Sequence, residues 1–132
     1  MTIRKKILVV DDDLSMREML AHILVKAGYE VILTEDGKTG VEKAWSERPH
    51  IVITDGLLPK LHGFLVSKKV KEFPRPPRVI ILSGVYTKPT YSIEVKREYN
   101  ADAFITKPFD VTSLLSTISK QVAMLPGDEA AA

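Results

Sequence analysis

Residues 7–13 read Ile7-Leu8-Val9-Val10-Asp11-Asp12-Asp13, an apolar run followed by three acids. Its apolar half is short, unbroken and rich in β-branched residues, which is typical of a strand buried on both faces. Its acidic half places three carboxylates directly after that strand. The stretch therefore predicts a buried β-strand that ends in an acidic cluster.

A helical pattern follows the aspartates. Ser15 is a candidate cap for the start of this helix, and Gly28 suits its end. Its predicted apolar face consists of Met16, Leu20, Ile23, Leu24 and Ala27. The first strand and the first helix together form one strand-helix unit.

The rest of the chain repeats this unit. Further strands are predicted at 30–34, 51–54, 79–82 and 103–105. The second helix is predicted around Val41, Ala44 and Trp45, and the third runs from about Phe64 to Glu72. Five units in strict alternation predict an α/β fold with a parallel sheet and helices on both faces.

The last two predicted helices have different signals. The fourth begins near Pro89, carries Tyr91, Val95 and Tyr99 at four-residue spacing, and ends at Asn100, which tolerates a left-handed conformation. The predicted face of the fifth consists of Val111, Leu114, Leu115, Ile118 and Val122.

Polar residues follow several of the predicted strands. Asp55 comes after the third strand, Ser83 after the fourth and Lys107 after the fifth. The carboxyl ends of parallel strands share one rim of the sheet, where α/β proteins bind ligands. We therefore expect these side chains to meet Asp11 and Asp12 there.

Three crowded carboxylates repel each other unless a cation is present, and Mg²⁺ suits an oxygen-rich site of this kind. One Mg²⁺ ion and the Lys107 ammonium would balance Asp11, Asp12 and Asp55, so the site could then accept an anion. A phosphoryl group fits, because Mg²⁺ and an ammonium neutralise its oxygens and Ser83 can donate a hydrogen bond. Asp55 is the candidate nucleophile, since carboxylates do accept phosphoryl groups.

These motifs resemble the response-regulator receiver domain of two-component signalling. The matching stretches are ILVVDDD (7–13), IVITDGLLP (51–59), VIILSG (79–84) and FITKPF (104–109). The likeness covers residues 4–124 and implies a CheY-like, doubly wound (βα)5 fold of flavodoxin type with strand order 2-1-3-4-5. It implies a receiver domain at 1–124, followed by a C-terminal tail or the start of a linker at 125–132.

The resemblance also implies roles for single residues. Asp55 would be the phosphoacceptor, and Mg²⁺ would be held by Asp11, Asp12, Asp55 and the Leu57 carbonyl, with Asp12 the more direct ligand of the acidic pair. The backbone at Leu57 and Gly84 would contact the phosphoryl group.

A second set of implied roles concerns switching. Ser83 would be the switch hydroxyl, Lys107 would pair with the phosphoryl group, and Phe104 would be the switch aromatic. The Lys107–Pro108 peptide bond would be cis.

The implied function is a phosphorylation-controlled switch and not a conventional enzyme. A sensor histidine kinase or phosphotransfer protein would supply the phosphoryl group. The face made by the fourth helix, fifth strand and fifth helix would then act on an effector domain or protein. Formation of a homodimer on phosphorylation is a further expectation.

Composition narrows the function classes. The chain has 132 residues, a formal net charge of +2, no cysteine and 45% hydrophobic residues, which fits one folded domain. The balanced charge argues against direct nucleic-acid binding, and no apolar stretch reaches membrane-spanning length. A cytoplasmic location is expected.

Two alternatives stay open. The D-x-D spacing of Asp11 and Asp13 is similar to that of haloacid-dehalogenase-like phosphohydrolases. Those enzymes need a further acidic pair after the lysine, and here only Asp110 is near, while Asp128 and Glu129 lie in the tail.

The second alternative is a phosphorylation-independent interaction domain on the same fold. The complete acidic set argues against it, but three departures from the family pattern keep it open. They are His62 where Asp is frequent, Gly84 where Ala is frequent, and a longer spacing from Ser83 to Lys107, with the extra residues expected in 85–90.

Overall fold

The computed structural model describes residues 4–56, 62–84 and 100–126. In chain order the elements are β1 (Lys6–Val10), α1 (Leu14–Lys26), β2 (Glu30–Thr34), α2 (Gly37–Glu47), β3 (Ile51–Asp55), α3 (Gly63–Val70), β4 (Arg78–Ser83), β5 (Ala103–Thr106) and α4 (Val111–Ala123). The fourth predicted helix and the 85–90 loop lie outside the described residues, so α4 is the fifth predicted helix. None of the described helices is long and apolar enough to cross a membrane.

The strands form one five-stranded sheet in the order β2-β1-β3-β4-β5. All four neighbouring pairs are parallel. This confirms the doubly wound α/β fold and the strand order that the resemblance implied. The carboxyl ends of all five strands therefore face the same rim.

Side chains alternate along each strand and feed two hydrophobic layers. Residues 7–10 of β1 are fully buried, which confirms a strand covered on both faces. One layer lies under α1 and α4 and includes Ile7, Val9, Leu20, Leu24, Leu114 and Ile118. The other lies under α2 and α3 and includes Leu8, Val10, Ala44, Phe64, Val66 and Val70.

The start of α1 differs from its prediction. Asp13 is the N-cap, with extended backbone, and its Oδ1 accepts a hydrogen bond from the Ser15 backbone N–H at 2.9 Å. The predicted cap at Ser15 is therefore wrong, because Asp13 already provides the acceptor two residues earlier. Ala27 was also placed wrongly on the apolar face, since it is the exposed C-cap of this helix.

Two other helices differ at their ends. Helix α3 ends at Val70 and not at Glu72, with Lys71 as its C-cap. Val111 is 45% exposed and does not belong to the buried face of α4. The N-cap of α4 is Asp110, whose pKa is lowered by hydrogen bonds from the Ser113 side chain and from the Thr112 and Ser113 backbone N–H groups.

The left-handed backbone expected at Asn100 is confirmed. Asn100 has φ of 59°, and Gly28, which follows the C-cap of α1, has φ of 100°. Glycine adopts such a conformation without the steric cost that a side chain brings.

A network of charged side chains lies at the rim of the sheet opposite Asp11, Asp12 and Asp55. Asp102 Oδ2 accepts hydrogen bonds from Lys71 Nζ and from the Val79 backbone N–H, each at 2.8 Å. Its Oδ1 lies 3.4 Å from Arg78 Nη2, and Arg78 Nε donates a hydrogen bond to Gln121 Oε1 of α4. Asp102, the residue before β5, thus connects the end of α3, the start of β4 and α4.

Replacing Asp102 by Ala should destabilise the domain by about 2 kcal/mol, because two partly buried cations lose their carboxylate partner and one backbone N–H loses its acceptor. Urea unfolding measures this effect. The exposed change Glu18→Gln on α1 is the control and should alter stability by less than about 0.5 kcal/mol. Equal stability of Asp102→Ala and the control would show that the network contributes nothing.

Candidate functional site

The sheet carries most of the candidate residues to a single rim. Asp11 and Asp12 follow β1, Asp55 ends β3, Ser83 ends β4 and Lys107 follows β5. Backbone hydrogen bonds continue past the strand ends, from Asp11 N to Thr34 O at 3.1 Å and from Lys107 N to Ser83 O at 3.0 Å. The ladder therefore fixes the backbone that presents these side chains.

Three carboxylates converge at this rim. Asp11, Asp12 and Asp55 each offer one oxygen, and these oxygens lie within 4.8 Å of one another. Asp11 is almost completely buried, Asp12 is exposed and the Asp55 side chain is 14% exposed. Such a set of hard oxygen donors, open on one side, is suited to a divalent cation such as Mg²⁺.

Lys107 adds the positive charge. Its Nζ lies 3.3 Å from Asp11 Oδ2 and 3.7 Å from Asp55 Oδ1. The ammonium thus pairs with two of the three carboxylates and reduces their mutual repulsion. The Lys107–Pro108 peptide bond is cis, as the resemblance implied.

Asp11 is held on every polar atom. Its backbone N–H and Oδ2 have the partners named above, and its Oδ1 accepts a hydrogen bond from the Asp13 backbone N–H at 2.9 Å. Its carbonyl oxygen accepts a hydrogen bond from the Arg17 guanidinium at 2.8 Å. A nearly buried carboxylate held in this way forms the rigid part of the cluster, while Asp12 forms its solvent-facing part.

Ser83 and Gly84 lie beside the cluster. Ser83 is 1% exposed and packs against Gly56, where an added Cβ would lie 3.2 Å from Ser83 Oγ. Gly84 lies beside Lys107, since an added Cβ there would be 3.5 Å from Lys107 Cβ. Ser83 is therefore next to the segment that carries Asp55, and Gly84 is next to Lys107.

The remaining predicted site residues are Phe104 and Leu57. Phe104 lies within β5, half-buried, and packs on the layer under α2 and α3. Leu57, expected to offer its carbonyl, lies outside the described residues.

Two further residues support the site and were not singled out for it from the sequence. Arg17 reaches back from α1 to the Asp11 carbonyl, and its position one helical turn after Asp13 was the available signal. Gly63 begins α3 so close to β3 that an added Cβ would overlap the Asp55 carbonyl oxygen.

Comparisons of this chain with known proteins all point to the same family. Residues 7–119 match the family model of the response regulator receiver domain. The response regulator ArlR of Staphylococcus saprophyticus is 31% identical over 121 residues, which is 92% of this chain and 54% of that protein. The alkaline phosphatase synthesis transcriptional regulatory protein PhoP of Bacillus subtilis is 35% identical over 105 residues, which is 80% of this chain and 43% of that protein.

A solved structure agrees with these matches. The chemotaxis response regulator CheY4 of Vibrio cholerae superposes with a TM-score of 0.83 at 30% identity, covering 90% of this chain and 99% of that one. The chain spans about half the length of the curated relatives it matches. With the family model, the relatives and the fold in agreement, this chain belongs to the response regulator receiver domain family of two-component systems.

Proposed function

We propose that this receiver domain is a phosphorylation-controlled switch that accepts a phosphoryl group on Asp55 in the presence of Mg²⁺. The observation that carries the proposal is the convergence of Asp11, Asp12 and Asp55 within 4.8 Å, with Lys107 paired to two of them. The donor set suits Mg²⁺, and the ammonium suits an incoming anion.

The chemistry is nucleophilic substitution at phosphorus. A carboxylate oxygen of Asp55 forms a bond to phosphorus as the bond to the donor's leaving atom breaks, and the product is an acyl phosphate. Asp11, Asp12, Asp55 and the Leu57 carbonyl would hold the Mg²⁺ ion, which neutralises phosphoryl oxygens when bound. Lys107 would pair with the phosphoryl group, and the backbone at Leu57 and Gly84 would contact it.

The switch would then run through Ser83 and Phe104. Ser83 ends β4 and packs against Gly56, the residue after the acceptor, so its hydroxyl is near enough to respond to a new anion there. Phe104 would follow into the space that Ser83 leaves. The population of conformations at the surface formed by the fourth predicted helix, β5 and α4 would shift as a result.

The proposed partners follow from this role. The donor would be a sensor histidine kinase or a phosphotransfer protein, and the output an effector domain or protein, with a homodimer on phosphorylation as one form. Residues 1–124 would be the receiver domain and 125–132 a tail or the start of a linker. The protein would assist its own phosphorylation and dephosphorylation without being a conventional enzyme, and would work in the cytoplasm.

Intact-mass spectrometry after incubation with Mg²⁺ and acetyl phosphate tests this function. We expect the added mass of one phosphoryl group, and no adduct when EDTA removes Mg²⁺. Absence of both an adduct and Mg²⁺ binding would contradict the proposal and favour the phosphorylation-independent interaction domain. If Mg²⁺ binds without an adduct, beryllofluoride decides, since failure to bind this phosphoryl mimic would also contradict it. Steady turnover of phosphate monoesters would instead favour a phosphohydrolase.

A further inference from the structure

Arg17 is a mostly buried cation at the edge of the acidic cluster. Its side chain is 14% exposed, and it projects from the beginning of α1. One terminal nitrogen donates to the Asp11 carbonyl oxygen at 2.8 Å, and the other lies 4.0 Å from a Glu35 carboxylate oxygen. The side chain thus links α1 to the chain segments that follow β1 and β2.

The placement of this charge is not explained by the helix itself. Arg17 lies near the N-terminus of α1, where the helix dipole disfavours a cation. It is also a positive charge beside a cluster suited to a metal cation, which by Coulomb repulsion alone would weaken metal binding. The helix dipole and the repulsion of a metal cation both disfavour Arg17 at this position. We therefore expect its hydrogen bond to serve a function.

The choice of hydrogen-bond acceptor indicates that role. The guanidinium binds the main-chain carbonyl of Asp11 and leaves the Asp11 carboxylate oxygens to the Asp13 backbone N–H and to Lys107. That carbonyl belongs to the peptide that joins Asp11 to Asp12. Its orientation sets where the exposed Asp12 carboxylate lies relative to the buried one.

We propose that Arg17 is a positioning residue for the Mg²⁺ site, holding the Asp11–Asp12 peptide so that both carboxylates converge with Asp55. The inference rests on the proposed function, since it concerns the same ion. It assigns the effect to a residue that binds neither the metal nor the phosphoryl group. Residues that hold metal ligands in place without binding the metal themselves commonly change metal affinity by about 10-fold to 100-fold.

The test is Mg²⁺ affinity, measured by isothermal titration calorimetry on the whole chain at low ionic strength. Arg17→Met keeps a long helix-compatible side chain but removes the charge and the donors. We expect it to bind Mg²⁺ about 10-fold more weakly. Arg17→Lys keeps the charge and one donor group, so its affinity should lie between those of Arg17→Met and the wild type.

The sign of the change separates positioning from charge. If Arg17 acted through its charge alone, Arg17→Met would bind Mg²⁺ more tightly and Arg17→Lys would equal the wild type. Phosphorylation by acetyl phosphate gives a second readout. Arg17→Met should need more Mg²⁺ but reach the wild-type extent when Mg²⁺ is saturating.

Arg78→Met is the matched control for lost stability. Arg78 is also a partly buried arginine with an ion pair, but it lies at the opposite rim of the sheet. Its replacement should lower the urea midpoint and leave Mg²⁺ affinity unchanged. Unchanged or tighter Mg²⁺ binding by Arg17→Met would overturn the inference, whereas a wild-type protein that binds no Mg²⁺ would overturn the proposed function instead.

Discussion

Replacing Asp55 by Asn should abolish phosphorylation by acetyl phosphate, so that the intact mass stays unchanged under conditions where the wild type gains one phosphoryl group. The amide keeps the size of the side chain but is neutral and a poor nucleophile, so no acyl phosphate forms. The variant should fold normally. It removes one of three crowded carboxylates, and Lys107 Nζ still has Asp11 at 3.3 Å.

The same variant should still bind Mg²⁺, but more weakly, because Asp11 and Asp12 remain while one ligand has lost its charge. Calorimetry measures this loss beside the mass measurement. Together they separate a missing acceptor from a missing metal site.

Asp13→Asn is the matched control for Asp55→Asn. Asp13 belongs to the same acidic run but is the N-cap of α1, and asparagine caps helices about as well as aspartate. This control should be phosphorylated like the wild type. A phosphoryl adduct on Asp55→Asn would show that another residue is the acceptor, and peptide mapping would locate it.

The fold could be predicted from local pattern because each unit is locally consistent. The apolar run 7–10 predicts a buried strand, and the acids after it mark the strand's carboxyl end. Because parallel strands share that rim, Asp55, Ser83 and Lys107 could be placed there as well. Asn100 and Gly28 were recognised because a left-handed turn restricts the residue types that fit.

The remaining features depend on long side chains and on contacts between segments that are distant in the sequence. The bond from Arg17 to a main-chain carbonyl and the network around Asp102 join segments through long side chains, whose targets leave no pattern in the sequence. The choice between Asp13 and Ser15 as the cap of α1 depended on the backbone angles of Asp13, which neither residue type determines. Gly63 was missed as a supporting residue because its role is set by the closeness of α3 to β3.

Replacing Gly63 by Ala should damage both stability and phosphorylation. The added Cβ would overlap the Asp55 carbonyl oxygen and lie 2.7 Å from the Asp55 carbonyl carbon and 3.0 Å from Gly56 Cα. These neighbours are backbone atoms, which cannot turn away as a flexible side chain could. Either α3 moves outward, pulling buried Phe64 and Val66 from the core, or the peptide after Asp55 is displaced.

Overpacking of this kind costs about 3 kcal/mol, which urea unfolding would measure. If part of the strain falls on Asp55, phosphorylation in the folded protein should slow by up to about 100-fold, because small misplacements of reacting groups have effects of that size. The time course of the mass change with acetyl phosphate, recorded well below the unfolding transition, measures the second effect separately from the first.

Gly84→Ala is the matched control, since it adds the same methyl group at the same rim. There the new Cβ would lie 3.5 Å from Lys107 Cβ and 3.6 Å from its carbonyl oxygen, which is ordinary contact. Both substitutions restrict the unfolded chain equally, so the difference between them isolates the clash. If Gly63→Ala were as stable and as rapidly phosphorylated as Gly84→Ala, the close approach of α3 to Asp55 would not constrain the acceptor. If it lost stability alone, the strain would fall on α3, and the position of Asp55 would depend on β3 and its ladder rather than on the helix that follows.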